Sequence, residues 1–248
     1  MQRRLQWRSM DSKRKIIDVH AHILPGVDDG ARTMEESVEL IKMAVSQGVI
    51  GIIATPHYSR HHSVSTLKEV LAELQEKAGQ EYPGFQIYLG QETIYHEELS
   101  ARLRNGQALV MAGSRYVLVE FSTGISYRGI YQGIRTLTGA GYWPILAHME
   151  RYGCLREAET RELYSLGCRM QMNYESLQGN WLNRDVRWCR KQVLEGKIQF
   201  LGSDMHRVDH RAPNIAGAQK WLDGHVKPET VRKLVYENPL HIIHNEKI

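Results

Sequence analysis

His20 and His22 flank a single alanine at the end of an apolar, β-branched run, IIDV. Side chains alternate across a strand, so residues two apart share a face and both imidazoles aim at one point, as a metal ion requires. Pro25-Gly26 ends the strand, and the acidic pair Asp28-Asp29 follows before Gly30. Similar chemistry recurs further along. ATPHY presents His57, GQE presents Glu92, and YVLVEFS carries Glu120 inside an otherwise apolar strand. PILAHMERY presents His148 and then Arg151, while FLGSDMHR sets Asp204 and His206 two apart, with Arg211 five residues beyond His206.

With Asp29 from the opening loop, the candidate ligands number nine: His20, His22, Asp29, His57, Glu92, Glu120, His148, Asp204 and His206. One ion accepts about four to six donors, and a catalytic site keeps a position for water or substrate. Nine donors overfill one ion and crowd two, whereas three ions sharing carboxylates accommodate them. Imidazole and carboxylate without thiolate suit Mn, Fe or Zn. Clustered divalent ions activate water near neutral pH and neutralise an oxyanion, the needs of phosphate-ester hydrolysis. Arg151 and Arg211, on the same loops as the ligands, suit the phosphate, because a guanidinium holds two phosphate oxygens at once. None of Cys154, Cys168 and Cys189 has an arginine six positions on, which excludes a thiol-based phosphatase loop.

Short apolar runs alternating with amphipathic segments must position these residues. The patterning predicts strands at Lys15–His20, Ile50–Thr55, Gln86–Gly90, Tyr116–Phe121, Trp143–Ala147, Cys168–Met172 and Ile198–Gly202. Helices are expected near Met34–Gln47, Ser65–Gly79, His96–Arg104, Gly129–Ala140, Glu157–Leu166 and Asp185–Glu195, with two more around Ala212–Asp223 and Pro228–Tyr236. Thr33 followed by Glu36 resembles a capping box. Strand–helix alternation implies a parallel sheet covered by helices. The expectation is an α/β fold, a seven-stranded β/α barrel in a single domain spanning 15–248, with a doubly wound open sheet as the alternative. In such a barrel all strand C-termini open on one face, where the candidate residues would converge.

The net charge of +4 is a local effect, because residues 1–15 hold six Lys/Arg and one Asp. The remainder carries 26 basic and 27 acidic residues, giving little support for a surface that tracks nucleic acid. Residues 1–14 read as a disordered basic leader. No apolar run approaches the roughly 18 residues of a membrane span, so no stable membrane insertion is expected. Three cysteines without C-x-x-C spacing fit a reducing compartment, and the expected location is cytoplasmic.

In this order and spacing DVHAHILPGVDDGA, ATPHY, GQE, VLVEF, PILAHMERY and GSDMH resemble the polymerase-and-histidinol-phosphatase (PHP) superfamily. The likeness is to its bacterial protein-tyrosine phosphatase branch, the CpsB/YwqE/CapC-like enzymes linked to capsule and exopolysaccharide synthesis. It spans residues 16 to about 243. The resemblance implies a distorted β/α barrel and a trinuclear, usually manganese-dependent centre. It also implies hydrolysis of protein phosphotyrosine, particularly on the tail of a bacterial tyrosine kinase. Carried over by motif, His20, His22, Glu92 and Asp204 would bind one ion, and Glu92 would bridge to a second held by Glu120 and His148. Asp29, His57 and His206 would hold the third, and Arg151 and Arg211 match phosphate-binding arginines. A rival within the superfamily is a histidinol-phosphate phosphatase. A non-catalytic metal-binding module that keeps the scaffold is a rival of another class. Tyr58, Tyr127, Tyr152 and Tyr174 suit an aromatic rim around a tyrosyl ring and suit packing equally well.

Overall fold

The computed structural model describes residues 15–156 and 160–248; the expected leader at 1–14 and the start of the helix expected from Glu157 lie outside them. Eight strands are formed among the described residues: β1 (Ile16–Ala21), β2 (Val49–Ala54), β3 (Gln86–Leu89), β4 (Glu92–Ile94), β5 (Tyr116–Glu120), β6 (Trp143–Leu146), β7 (Arg169–Asn173) and β8 (Phe200–Gly202). Helices Met34–Ser46, Val64–Glu81, Leu99–Arg104, Tyr127–Gly139, Arg161–Ser165, Arg184–Leu194 and Ala216–His225 intervene or follow. No helix among the described residues is long and apolar enough to cross a membrane.

Eight strands stand where the sequence predicts seven, and they do not run as one continuous barrel ladder. They fall into two parallel sheets, β1-β2-β3 and β4-β5-β6-β7-β8. The expected third strand divides because the chain changes partners there: Ile87 lies opposite Ile52 in β2, whereas Glu92 lies opposite Leu118 in β5. Gly90 marks the crossing, where a Cβ would come within 3.3 Å of both the Ile53 side chain and the Met111 backbone.

Isolated parallel bridges join the sheets at both seams, Ala21 with Met205 and His57 with Glu92. At the first seam Asp204 N donates to His20 O and His22 N donates to Met205 O, each at 2.8 Å. At the second, Tyr58 N donates to Glu92 O at 2.8 Å. Both places where the ladder loses its regularity are therefore occupied by the candidate ligands.

Central β5 is apolar on both faces, as a parallel strand under helices requires; its Val117, Leu118 and Val119 are fully buried. Helix Met34–Ser46 shows how the cover is fixed. Thr33 caps it by accepting from Glu36 N at 3.2 Å, Glu36 Oε2 accepts from Arg32 N at 2.8 Å, and Leu40, Ile41 and Ala44 face the core.

Candidate metal centre

His20 lies on β1, and His22 follows at its end, both fully buried. Their Nε2 atoms are 3.2 Å apart. Glu92 Oε2 lies 3.2 Å from each, and Asp204 Oδ1 lies 3.5 Å from each. The other ring nitrogens determine what these four atoms present. His20 Nδ1 faces the side-chain amide oxygen Oε1 of Gln171 at 3.1 Å, and His22 Nδ1 faces Asp28 Oδ2 at 2.7 Å. Both partners only accept, so each neutral ring carries its proton on Nδ1 and turns the Nε2 lone pair inward. Once both rings are neutral, two nitrogen lone pairs and two carboxylates meet in a buried space, an arrangement that suits a divalent cation.

Two further groups adjoin this one. His148 Nε2 stands 2.8 Å from Glu92 Oε1 and 3.5 Å from Glu120 Oε2. On the other side, Asp29 Oδ1 lies 3.6 Å from His57 Nε2 and 3.5 Å from His206 Nε2. His57 spans both, since its Nδ1 is 3.3 Å from Glu92 Oε2 and 3.6 Å from Glu120 Oε1. The potential ligand atoms of His22, Asp29, His57 and His206 lie within 4.8 Å of one another, as do those of His20, His22, Glu92 and Asp204, and those of His57, Glu92 and Glu120. All nine candidates are thus brought to one rim. Asp29, with 62% of its side chain exposed, is the outermost.

Charge has consequences here. Burial works against ionising His22, but the carboxylates of Asp28 and Glu92 push its pKa up to about 10. Burial likewise opposes a charge on His148, and Glu120 and Glu92 raise it to about 9. Desolvation, then the neighbouring His22, lower His206 to about 4. Burial disfavours the Asp204 carboxylate, yet His20, His22 and Arg151 hold its pKa well below the usual range.

Arg151 and Arg211 both reach Asp204. Arg151 Nη2 donates to Oδ2, and Arg211 Nη1 donates to the same oxygen at 3.1 Å. Backbone turns bring them there. His148 adopts φ +31°, starting the turn Met149–Arg151, and Arg151 N returns to His148 O at 3.0 Å. The His206–Arg211 loop closes through His206 N to Arg211 O at 3.0 Å. Asp204 (φ +53°) and Arg211 (φ +57°) are also left-handed. Such backbone in non-glycine residues costs of order 1 kcal/mol or more each and collects at functional sites.

A family model described as capsular polysaccharide synthesis, CpsB/CapC, matches residues 16–244. The chain belongs to the CpsB/CapC family. The tyrosine-protein phosphatase CpsB of Streptococcus pneumoniae is 32% identical over 244 residues, 94% of this chain and all of that protein. The tyrosine-protein phosphatase YwqE of Bacillus subtilis is 32% identical over 202 residues, 79% of each chain. A solved structure from the pair YwqE and CpsB, metal-dependent tyrosine phosphatases, superposes with a TM-score of 0.84 at 29% identity, covering 94% of this chain and 96% of that one.

In this CpsB/CapC chain, groups beyond the nine hold the centre in place. Gln171 Oε1 accepts from His20 Nδ1 and, at 2.7 Å, from His148 N. Its Nε2 donates to Asn173 Oδ1 at 2.9 Å, and Asn173 Nδ2 donates to Asp204 Oδ2 at 2.9 Å. Gly202 makes room for this, since a Cβ there would lie 2.6 Å from His20 Cβ and 2.9 Å from Gln171 Nε2. Asp28, in the acidic pair, orients His22 and also accepts from His57 N at 2.9 Å. The period-two alternation that picks out the histidines also places Gln171 and Asn173 on one face of β7. Of the candidate aromatic rim, Tyr152 and Tyr174 are fully buried packing residues, and Tyr127 bonds Glu162 at 3.0 Å; Tyr58 lies beside the centre.

Proposed function

We propose that this chain is a metal-dependent protein-tyrosine phosphatase that uses manganese. Its substrate in this reading is the tyrosine-rich tail of a membrane-associated bacterial tyrosine kinase governing capsule or exopolysaccharide synthesis. The supporting observation is the convergence of two inward-facing imidazoles with Glu92 and Asp204, directly beside two arginines. In this reading His20, His22, Glu92 and Asp204 hold one ion. Glu92, Glu120 and His148 hold a second, and Asp29, His57 and His206 a third. Divalent ions bound there supply Lewis acidity that activates water and neutralises phosphoryl charge.

The chain's own residues do the rest. Arg151 and Arg211 lean on Asp204 Oδ2, and a phosphoryl group draws both guanidiniums onto its oxygens. Gln171 and Asp28 keep the Nδ1 protons of His20 and His22 in place. A phenol leaves with a pKa of about 10, which lowers the demand for a general acid. We further read the two bridged sheets as a distorted barrel, and three free cysteines as suiting the cytoplasm.

The reading is tested by comparing kcat/KM of the manganese-loaded protein on a phosphotyrosine peptide, a phosphoserine peptide and histidinol phosphate. It requires the phosphotyrosine peptide to be preferred at least about tenfold over either competitor, a barrier difference of about 1.4 kcal/mol. Faster turnover of histidinol phosphate contradicts it.

A further inference from the structure

Glu92 and Ile94 are two apart on β4 and share a face, while Thr93 between them is buried on the other. Ile94 lies opposite Glu120 in β5, so it stands beside two of the candidate ligands, Glu92 along its own strand and Glu120 across the ladder. Yet 60% of its surface is exposed. An apolar β-branched side chain left open beside a cluster of carboxylates and imidazoles gains nothing from burial in the free protein.

Ile94 lines a cavity of about 430 Å³ together with His57, Tyr58, Glu92, His96 and Glu120. The wall is built rather than incidental. Tyr58 follows His57, and its backbone N–H is tied to Glu92 O at 2.8 Å. Its hydroxyl accepts from Arg102 Nη1 at 2.9 Å, and Arg102 is itself held by Glu98 Oε2 at 2.6 Å. The ring of His96 packs against Tyr58 with centroids 6.2 Å apart. Burial and the Arg102 charge lower the pKa of His96, which favours the uncharged ring. The lining thus joins the carboxylates of Glu92 and Glu120 to two flat rings, Tyr58 and His96, and one aliphatic side chain, Ile94. Neither Arg151 nor Arg211 lines it.

We propose that Ile94, Tyr58 and His96 form a ring-accepting subsite that seats the aryl group of a phosphomonoester while its phosphoryl group meets the metal centre. The inference rests on the phosphatase reading and adds a residue-level source for preference of aryl over alkyl phosphates. Ile94 is the specificity-determining residue, since it offers the one open aliphatic surface of the wall, and Tyr58 and His96 fix the slot beside it.

The test uses the manganese-loaded full chain and two non-hydrolysable probes, phenylphosphonate and methylphosphonate, with binding measured by calorimetry. The wild type should bind phenylphosphonate about tenfold more tightly, the scale of a small apolar contact in a binding pocket. Ile94→Ser should reduce that ratio to about twofold or less and leave methylphosphonate affinity unchanged, which also shows that the variant is folded and loaded. Ile94→Leu should keep the preference. Equal binding of the two probes by the wild type, or an undiminished preference in Ile94→Ser, overturns the subsite alone. If neither phosphonate binds the loaded wild type, the phosphoryl site is refuted and the subsite falls with it.

Discussion

The side-chain amide oxygen of Gln171, Oε1, lies 3.1 Å from Nδ1 of His20, linking β7, between β6 and β8 in its sheet, to the first imidazole of the centre. Because that oxygen can only accept, it fixes which nitrogen of His20 faces Glu92 and Asp204. Replacing it with methionine should weaken divalent-metal affinity about 10- to 100-fold, as loss of a partner behind a ligand does. Gln171→Glu, which keeps an acceptor for His20, should lose less. Calorimetric titration of manganese into each variant, after far-ultraviolet circular dichroism confirms the fold, decides the matter; unchanged affinity in Gln171→Met would show that Gln171 does not orient His20.

Arg151 and Arg211 meet on one oxygen of Asp204. Each single alanine variant should lower kcat/KM on a phosphotyrosine peptide about 100-fold or more, the usual loss when one donor to a developing oxyanion is removed. Metal content should remain that of the wild type, because neither guanidinium is among the ligand atoms. Loss of metal in parallel with activity would show instead that the arginines hold Asp204 in position.

Metal binding should release protons. With Asp28 and Glu92 pushing His22 up to about 10 and Glu120 and Glu92 raising His148 to about 9, both metal-free rings are protonated at neutral pH. A cation must expel those protons, so apparent manganese affinity should rise with pH between about 6 and 8. Titrations in buffers of different ionisation enthalpy measure the released protons directly, and a pH-independent affinity with no proton release would contradict the assignment.

The thiols should be bystanders. Burial raises Cys168 and Cys189 to about 12, and it raises the half-buried Cys154 as well. At pH 8 a maleimide should label Cys154 in the native protein, and Cys168 and Cys189 only after denaturation, with phosphatase turnover unaffected. The same shifts set a sign for stability. Because the folded values lie above an ordinary thiol's, folding favours the protonated form, so the stability they confer declines as pH climbs past about 8.5 toward 12. Loss of turnover on labelling would point to a thiol route after all.

Much of this was legible in the sequence, because period-two spacing and the apolar runs around it report directly on strands. His20 with His22 and Asp204 with His206 could be paired on that basis, and the seam between β1 and β8 brings the two pairs together. Three features were not legible. Strand β4 is three residues long and changes sheets at Gly90, which only long-range pairing decides. Gln171, Asn173 and Asp28 act through hydrogen bonds to residues remote in sequence or across a turn, and an amide on a strand carries no signal of its own. Rim and packing roles for Tyr152 and Tyr174 are indistinguishable in the sequence, and the fold settles both as buried packing residues, Tyr152 Oη accepting from Phe121 N at 3.0 Å.

The most direct test of a hydrolytic metal centre is elemental analysis of the purified protein paired with phosphotyrosine-peptide turnover before and after chelation. The account predicts about three divalent ions per chain, turnover abolished by chelation, and recovery when manganese is restored. Full turnover by protein stripped of metal would contradict it.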